Sequence, residues 1–196
     1  MKMIKISIKL TITLVTLLTV FTLNTKAQKP IFKAGTTIYL VRHAEKDTGN
    51  NPPLTQAGFK RAGDLMRYLQ SKGVSKIYST KYKRTNQTAD SLKIAQNLTA
   101  INYEADTLGN DLVEKIKANG DEGKTILVVG HSNTVPKLIR RLGVKTYTVQ
   151  NLGDYEFDNI FKVVYKRSKI KFNHGRYGVT GLEGKIISLE NITPMK

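Results

Sequence analysis

Four side chains that lie far apart along the chain share one local setting: each follows a short apolar, β-rich run. Thr36-Thr37-Ile38-Tyr39-Leu40-Val41 ends at Arg42-His43, Lys76-Ile77-Tyr78-Ser79-Thr80 is followed closely by Arg84, and Thr125-Ile126-Leu127-Val128-Val129 ends at Gly130-His131. Two guanidiniums and two imidazoles gathered in one place repel each other unless an anion sits between them, and a phosphoryl group is the natural occupant. The planar fork of Arg matches phosphoryl oxygens, and catalysis of phosphoryl transfer is largely positioning plus neutralisation of charge on those oxygens. The chain has no cysteine, so a neutral imidazole is the strongest candidate for a covalent intermediate.

The elements that must deliver these groups alternate in type. After the strand at 36–41 comes the turn-rich Asp47-Thr48-Gly49-Asn50-Asn51-Pro52-Pro53, and Leu54-Thr55-Gln56 opens a helix with Thr55 as its cap. Phe59, Ala62, Leu65, Met66 and Leu69 recur along that helix at the spacing of one face. Gly73 ends it, a strand follows at 76–80, and Arg84 is expected in the loop beyond. Further expectations are a helix over 85–97, a weak strand over 100–103 and a helix over 111–118 stopped by Asn119-Gly120. A buried strand follows over 125–129, then a helix over 135–142 stopped by Gly143. This order predicts an α/β three-layer sandwich, with a mostly parallel central sheet flanked by helices. Ligands of such sheets bind beyond the carboxyl ends of the strands, which is where the four side chains fall. The tail switches to alternation: Ile160-Phe161-Lys162-Val163-Val164-Tyr165 and Lys169-Ile170-Lys171-Phe172 flank Arg167-Ser168, a C-terminal antiparallel hairpin expected at the sheet edge as scaffold.

With those residues in view, Leu40-Val41-Arg42-His43-Ala44-Glu45 is similar to the Arg-His-Gly signature of the histidine phosphatase superfamily, related to the phosphoglycerate mutases. Ala44 stands where that family usually has Gly, a small residue that still fits a tight approach. Other matches follow in the family's order: Pro53-Leu54-Thr55 with Gly58 and Ala62, then Ser79 with Arg84-Thr85 and Gln87-Thr88-Ala89, then Val129-Gly130-His131. The resemblance implies that His43 is the nucleophile and that Arg42 and Arg84 bind the phosphoryl oxygens. It also implies that His131 is the second catalytic imidazole, stabilising the transferring group. Family members often draw a proton donor from a carboxylate after the second helix, which singles out Glu104, with Glu45 and Asp106 as alternatives. Asn133, Ser132 and Ser79 either supply hydrogen bonds around the pocket, Asn133 toward the phosphate, or cap their own loops. His174, in Asn173-His174-Gly175-Arg176, reads as a structural residue of a polar turn. Three histidines are too few to suggest a metal cluster, so neither metal nor cofactor is expected.

The segment before the first strand differs in kind. Lys2, Lys5 and Lys9 precede a run from Leu10 to Leu23 that holds no acidic residue, and Asn24-Thr25-Lys26-Ala27-Gln28 offers small residues at peptidase-read positions. The run is shorter than the ~20 residues a spanning helix needs. It therefore reads as a signal peptide over 1–27, cleaved after Ala27, with an uncleaved anchor as the alternative. A linker over 28–35 and one domain over 36–196 follow, located in the periplasm or outside the cell, with no stable membrane insertion after cleavage. The net charge of +17 falls to +13 without residues 1–27, which hold four Lys and no acid. That excess favours anionic partners by long-range steering. The segments after His43 and after 97 are too short for a water-excluding lid, which favours hydrolysis over transfer and an open pocket. The expected activity is a metal-independent phosphomonoesterase acting on a small phosphorylated substrate or a phosphopeptide. The alternative is a non-catalytic phosphate- or polyanion-binding module of the cell envelope. No nucleic-acid motif is present to favour nucleic-acid binding.

Overall fold

A computed structural model describes residues 30–106, 108–167, 169–178 and 193–194. The leader expected over 1–27, with its expected cleavage site, lies outside the described residues. The compact unit runs from Pro30 to Pro194.

Strand β1 (Thr37–Arg42) is buried along nearly its whole length. Its neighbours are β4 (Thr125–Gly130) on one side, parallel, and β5 (Asn159–Tyr165) on the other, antiparallel. Beyond β4 lie β2 (Lys76–Ser79) and β3 (Ala100–Asn102), both parallel to it, and beyond β5 lie β6 (Lys169–Arg176) and the two-residue β7 (Thr193–Pro194). The sheet order is thus β3-β2-β4-β1-β5-β6-β7. The expected three-layer α/β sandwich is present, and the C-terminal hairpin does more than close an edge. Its first strand lies beside β1 in the middle of the sheet.

Strand alternation divides the core in two. Ile38 and Leu40 of β1, Ile126 and Val128 of β4 and Phe161 and Val163 of β5 pack with Leu112, Val113, Ile116, Val135, Leu138 and Ile139 on one face. Tyr39, Val41, Leu127, Val129 and Ile160 pack on the other face with Leu65, Leu69, Ala89 and Leu92. Helices α3 (Asn110–Ala118) and α4 (Val135–Arg141) therefore cover the first face, and α1 (Gln56–Leu69) and α2 (Lys83–Gln96) the second. Both faces of β1 and β4 are dry, which is why these strands read as unbroken apolar runs.

Several local expectations shift. Phe59, placed on the buried face of α1, is half exposed, and Gly58 is buried in its stead. Thr55 does cap this helix, its hydroxyl accepting from Gly58 N at 3.2 Å. Arg84 sits in the first turn of α2 rather than in the preceding loop. Phe32, assigned to the linker, is buried with its ring 5.4 Å from that of Tyr165. His174 is a strand residue of β6, not a turn residue: its ring stacks on Phe161 at 4.4 Å, and its Nε2 lies 2.7 Å from Asn159 Oδ1.

Candidate active site

The chain leaves β1 and reaches β2 on the far side of β4, so β4 later inserts between them. A crevice opens there at the carboxyl ends of the strands, as topology requires of such a sheet. Arg42 pairs in register with Gly130, and His43 N donates to Gly130 O at 2.9 Å. The residue after each strand end, His43 and His131, is thereby brought to one place. The two rings meet edge to face with centroids 5.4 Å apart. Arg84 reaches in from the N-terminal turn of α2, its Nη2 3.4 Å from His131 Nδ1. A cavity of about 690 Å³ opens over these groups, lined among others by Arg42, His43, Arg84, His131, Ser132 and Asn133.

Each imidazole has a defined protonation pattern. His43 Nδ1 lies 2.8 Å from the carbonyl of Ala44, which can only accept, so Nδ1 carries the hydrogen and Nε2 keeps its lone pair. Burial, followed by the charges of His131, Arg84 and Arg42, pushes His43 down to about 3 against the pull of the Ala44 carbonyl. His131 is pushed down to about 4, first by burial and then by Arg84 and Arg42. Both rings are therefore neutral near pH 7. A guanidinium only donates, so the Arg84 contact makes His131 Nδ1 the acceptor and leaves Nε2–H to donate to Thr80 Oγ1 at 3.1 Å.

The two guanidiniums are positioned from behind. Arg42 Nη1 donates to the carbonyls of Gly153 at 2.6 Å and Asp154 at 3.2 Å, while its Cζ lies 4.1 Å from the centre of the Phe157 ring. Arg84 Cζ lies 4.4 Å over the Tyr82 ring. Burial lowers both from the ordinary guanidinium value without discharging them. The Nε atoms of Arg42 and Arg84 are buried without a hydrogen-bond partner among the described residues. Leaving a charged donor unsatisfied costs ~1–3 kcal/mol or more.

The expected proton donors do not converge with this set. Glu104 is not among the lining residues: its carboxylate is exposed, 3.8 Å from Lys81 Nζ, and its neighbour Ala105 faces the cavity instead. Glu45 is held by Arg61 through Nε at 2.9 and 2.8 Å and Nη2 at 2.5 Å. Asp106 caps α3, accepting from the backbone N–H groups of Leu108, Gly109, Asn110 and Asp111. Ser79 is buried below the site, where its hydroxyl bonds Asn86 Oδ1 at 2.8 Å, whereas Ser132 and Asn133 line the cavity.

Sequence reasoning passed over the segment between α4 and β5, which has no periodicity to mark it. It supplies Asn151, Leu152 and Asp154 to the cavity wall and Phe157 beneath Arg42. Lys46 and Tyr82 complete the wall. The aromatic residue two positions before Arg84 is the one signal that sequence offered for its guanidinium platform.

Residues 38–107 match the model of the histidine phosphatase superfamily, branch 1. Over that stretch, about a third of the chain, the sequence is similar to that superfamily, and the fold is of the same kind. A comparison with curated proteins finds no match. Among solved structures, SixA of Agrobacterium tumefaciens, named for a phosphohistidine phosphatase, superposes with a TM-score of 0.54 at 19% identity, over 74% of this chain and 99% of that one. A mycobacterial protein called hydrolase 1 gives 0.53 at 13% identity, over 73% and 97% of the two chains. Mycobacterial glucosyl-3-phosphoglycerate phosphatase gives 0.52 at 12% identity, over 73% and 97%. At these identities the likeness is one of fold.

Proposed function

We propose that the protein is a metal-independent phosphomonoester hydrolase that works through a phosphohistidine on His43. The observation that carries this reading is the pairing of His43 Nδ1–H with the Ala44 carbonyl, which leaves Nε2 as a free nucleophile in a cavity walled by Arg42, Arg84 and His131. In the first step Nε2 attacks phosphorus while the bond to the ester oxygen breaks, and the departing oxygen takes a proton. In the second, water attacks phosphorus, the N–P bond breaks, and His43 is regenerated. Arg42 and Arg84 neutralise the three equatorial oxygens in both steps, with charged hydrogen bonds placed before the reaction begins. Asn133 lines the same cavity as a further donor, and His131 holds Arg84 in place by accepting from it at Nδ1. The names carried by structural relatives, two of them phosphatases, support the same reading.

The substrate we infer is a small phosphorylated molecule or a phosphopeptide, in keeping with an open cavity of about 690 Å³. We also infer export, with residues 1–27 removed and the enzyme acting in the periplasm or outside the cell; the basic leader and its apolar run support this. Turnover of a chromogenic phosphomonoester in the presence of a chelator, measured beside His43→Ala, tests the activity. Hydrolysis that survives the chelator and is lost in the variant is the expected result. Tight binding of phosphate without turnover would make the protein a phosphate-binding module instead.

A further inference from the structure

We propose that Asp154 is the proton donor to the leaving group and takes the proton back from the attacking water, an inference that rests on the phosphomonoesterase reading. Among the described residues that line the cavity, Asp154 carries the one carboxylate. Three observations hold it there. Its backbone carbonyl accepts from Arg42 Nη1 at 3.2 Å, so the residue is tethered to a phosphate-binding guanidinium. Leu152, two residues before, is buried and pinned by its N–H to Ser132 O at 3.0 Å. Gly153 N donates to Glu156 Oε2 at 2.7 Å, closing the turn that presents Asp154.

The neighbouring acids are committed elsewhere. Glu156 closes that turn and lies 3.9 Å from Arg176, and Asp158 is buried against the same Arg176 at 3.2 Å. Asp154 is solvent-exposed on the cavity side of this cluster, and its charge acts on Arg42 more strongly than that of Glu156 or Glu45.

A carboxylate in an anion pocket opposes phosphate binding, since two anions at close range repel. One proton shared between them removes the repulsion, so the proton arrives with the substrate. The balance then closes. As Nε2 of His43 bonds to phosphorus, the P–O bond breaks and the Asp154 carboxyl proton passes to the leaving oxygen. When water attacks the phosphohistidine, its proton passes to the Asp154 carboxylate as the N–P bond breaks.

Leaving groups of different basicity separate this role from a structural one. Wild type and Asp154→Asn are compared in kcat/KM on 4-nitrophenyl phosphate, whose leaving group departs without help, and on glycerol 2-phosphate, whose alkoxide needs a proton. Binding of inorganic phosphate to both proteins reports the integrity of the pocket. We expect Asp154→Asn to fall about 100-fold or more on the alkyl ester and only a few-fold on the nitrophenyl ester, with phosphate bound as well as or better than by wild type. Equal losses on both esters, or no loss on the alkyl ester, would overturn the assignment. Failure of wild type to hydrolyse either ester would instead overturn the phosphatase reading itself.

Discussion

The Nδ1 hydrogen of His43 points to the carbonyl of Ala44, its own chain neighbour, at 2.8 Å. The contact lies within the loop that follows β1, so the tautomer is set by the same turn that delivers the ring. Ala44 N is anchored in turn by Thr88 Oγ1 at 2.9 Å, and Thr88 Oγ1 bonds Arg84 O at 2.7 Å. The loop of His43, the proposed nucleophile, is thus tied through Thr88 to the backbone of Arg84, the proposed phosphate ligand. Thr88→Val removes this tie while keeping the shape of the side chain. It is expected to lower kcat/KM about 10-fold, since a buried N–H left unsatisfied costs ~1–3 kcal/mol; steady-state kinetics and a denaturant titration check it.

Acid should weaken the fold in a defined window. The unfolded imidazole titrates near ~6.5, whereas His43 and His131 are held at about 3 and about 4 in the folded protein. Below the unfolded value the unfolded chain binds more protons, so stability falls as pH drops from ~6.5 toward 3–4 and is fully present above that window. The two sites interact, and together the loss is on the order of a few kcal/mol by pH ~4. His43→Asn keeps a donor near Ala44 and removes one titrating ring, so its stability should decline less steeply on acidification. In the wild type, saturating inorganic phosphate should raise both imidazole values, read from ring proton shifts by NMR.

Gly58 marks a close approach of α1 to the loop that carries His43. A Cβ there would stand 2.1 Å from the carbonyl oxygen of Glu45 and 3.0 Å from Leu54 Cβ. That carbonyl cannot swing aside freely because it accepts from Thr55 N at 3.0 Å. Gly58→Ala should destabilise the protein by roughly 1–3 kcal/mol and lower kcat/KM further than the stability loss explains, because the displaced segment carries His43. Denaturant melts and kinetics on the same preparations test the pairing of effects.

Phe157 supports Arg42 from below at 4.1 Å. Phe157→Leu retains apolar bulk and removes the ring face, a contribution of ~0.5–2 kcal/mol. Phosphate binding should weaken several-fold at unchanged fold stability, as measured by calorimetric titration. A loss confined to stability would assign Phe157 to packing alone.

The parts of the site that sit at the ends of buried strands were legible from residue order. Strands β1 and β4 are apolar on both faces, so the break at Arg42-His43 and at Gly130-His131 is abrupt, and parallel pairing then forces the two histidines together. Glu104 was misplaced because a carboxylate's direction after a three-residue strand depends on the loop that follows, where Asp106 takes the helix N-terminus and Ala105 turns inward. The wall formed by 151–157 left no trace in periodicity. It is irregular backbone whose position is set by Arg42, Ser132 and Glu156, contacts that exist only once the sheet has formed. Phe59 was misjudged for a related reason: at the start of α1 it is Gly58 that makes the close approach, to Glu45, while Ala62, Leu65 and Leu69 keep the expected buried face.

The covalent intermediate offers the sharpest test. The protein is mixed with a radiolabelled phosphomonoester, quenched rapidly in denaturant at alkaline pH, where phosphohistidine survives, and digested for mass spectrometry. Label on the peptide containing residue 43, formed at least as fast as turnover and missing from His43→Ala, is the predicted result. Turnover at full rate with no labelled peptide, or label on another side chain, would contradict a mechanism that begins at Nε2 of His43.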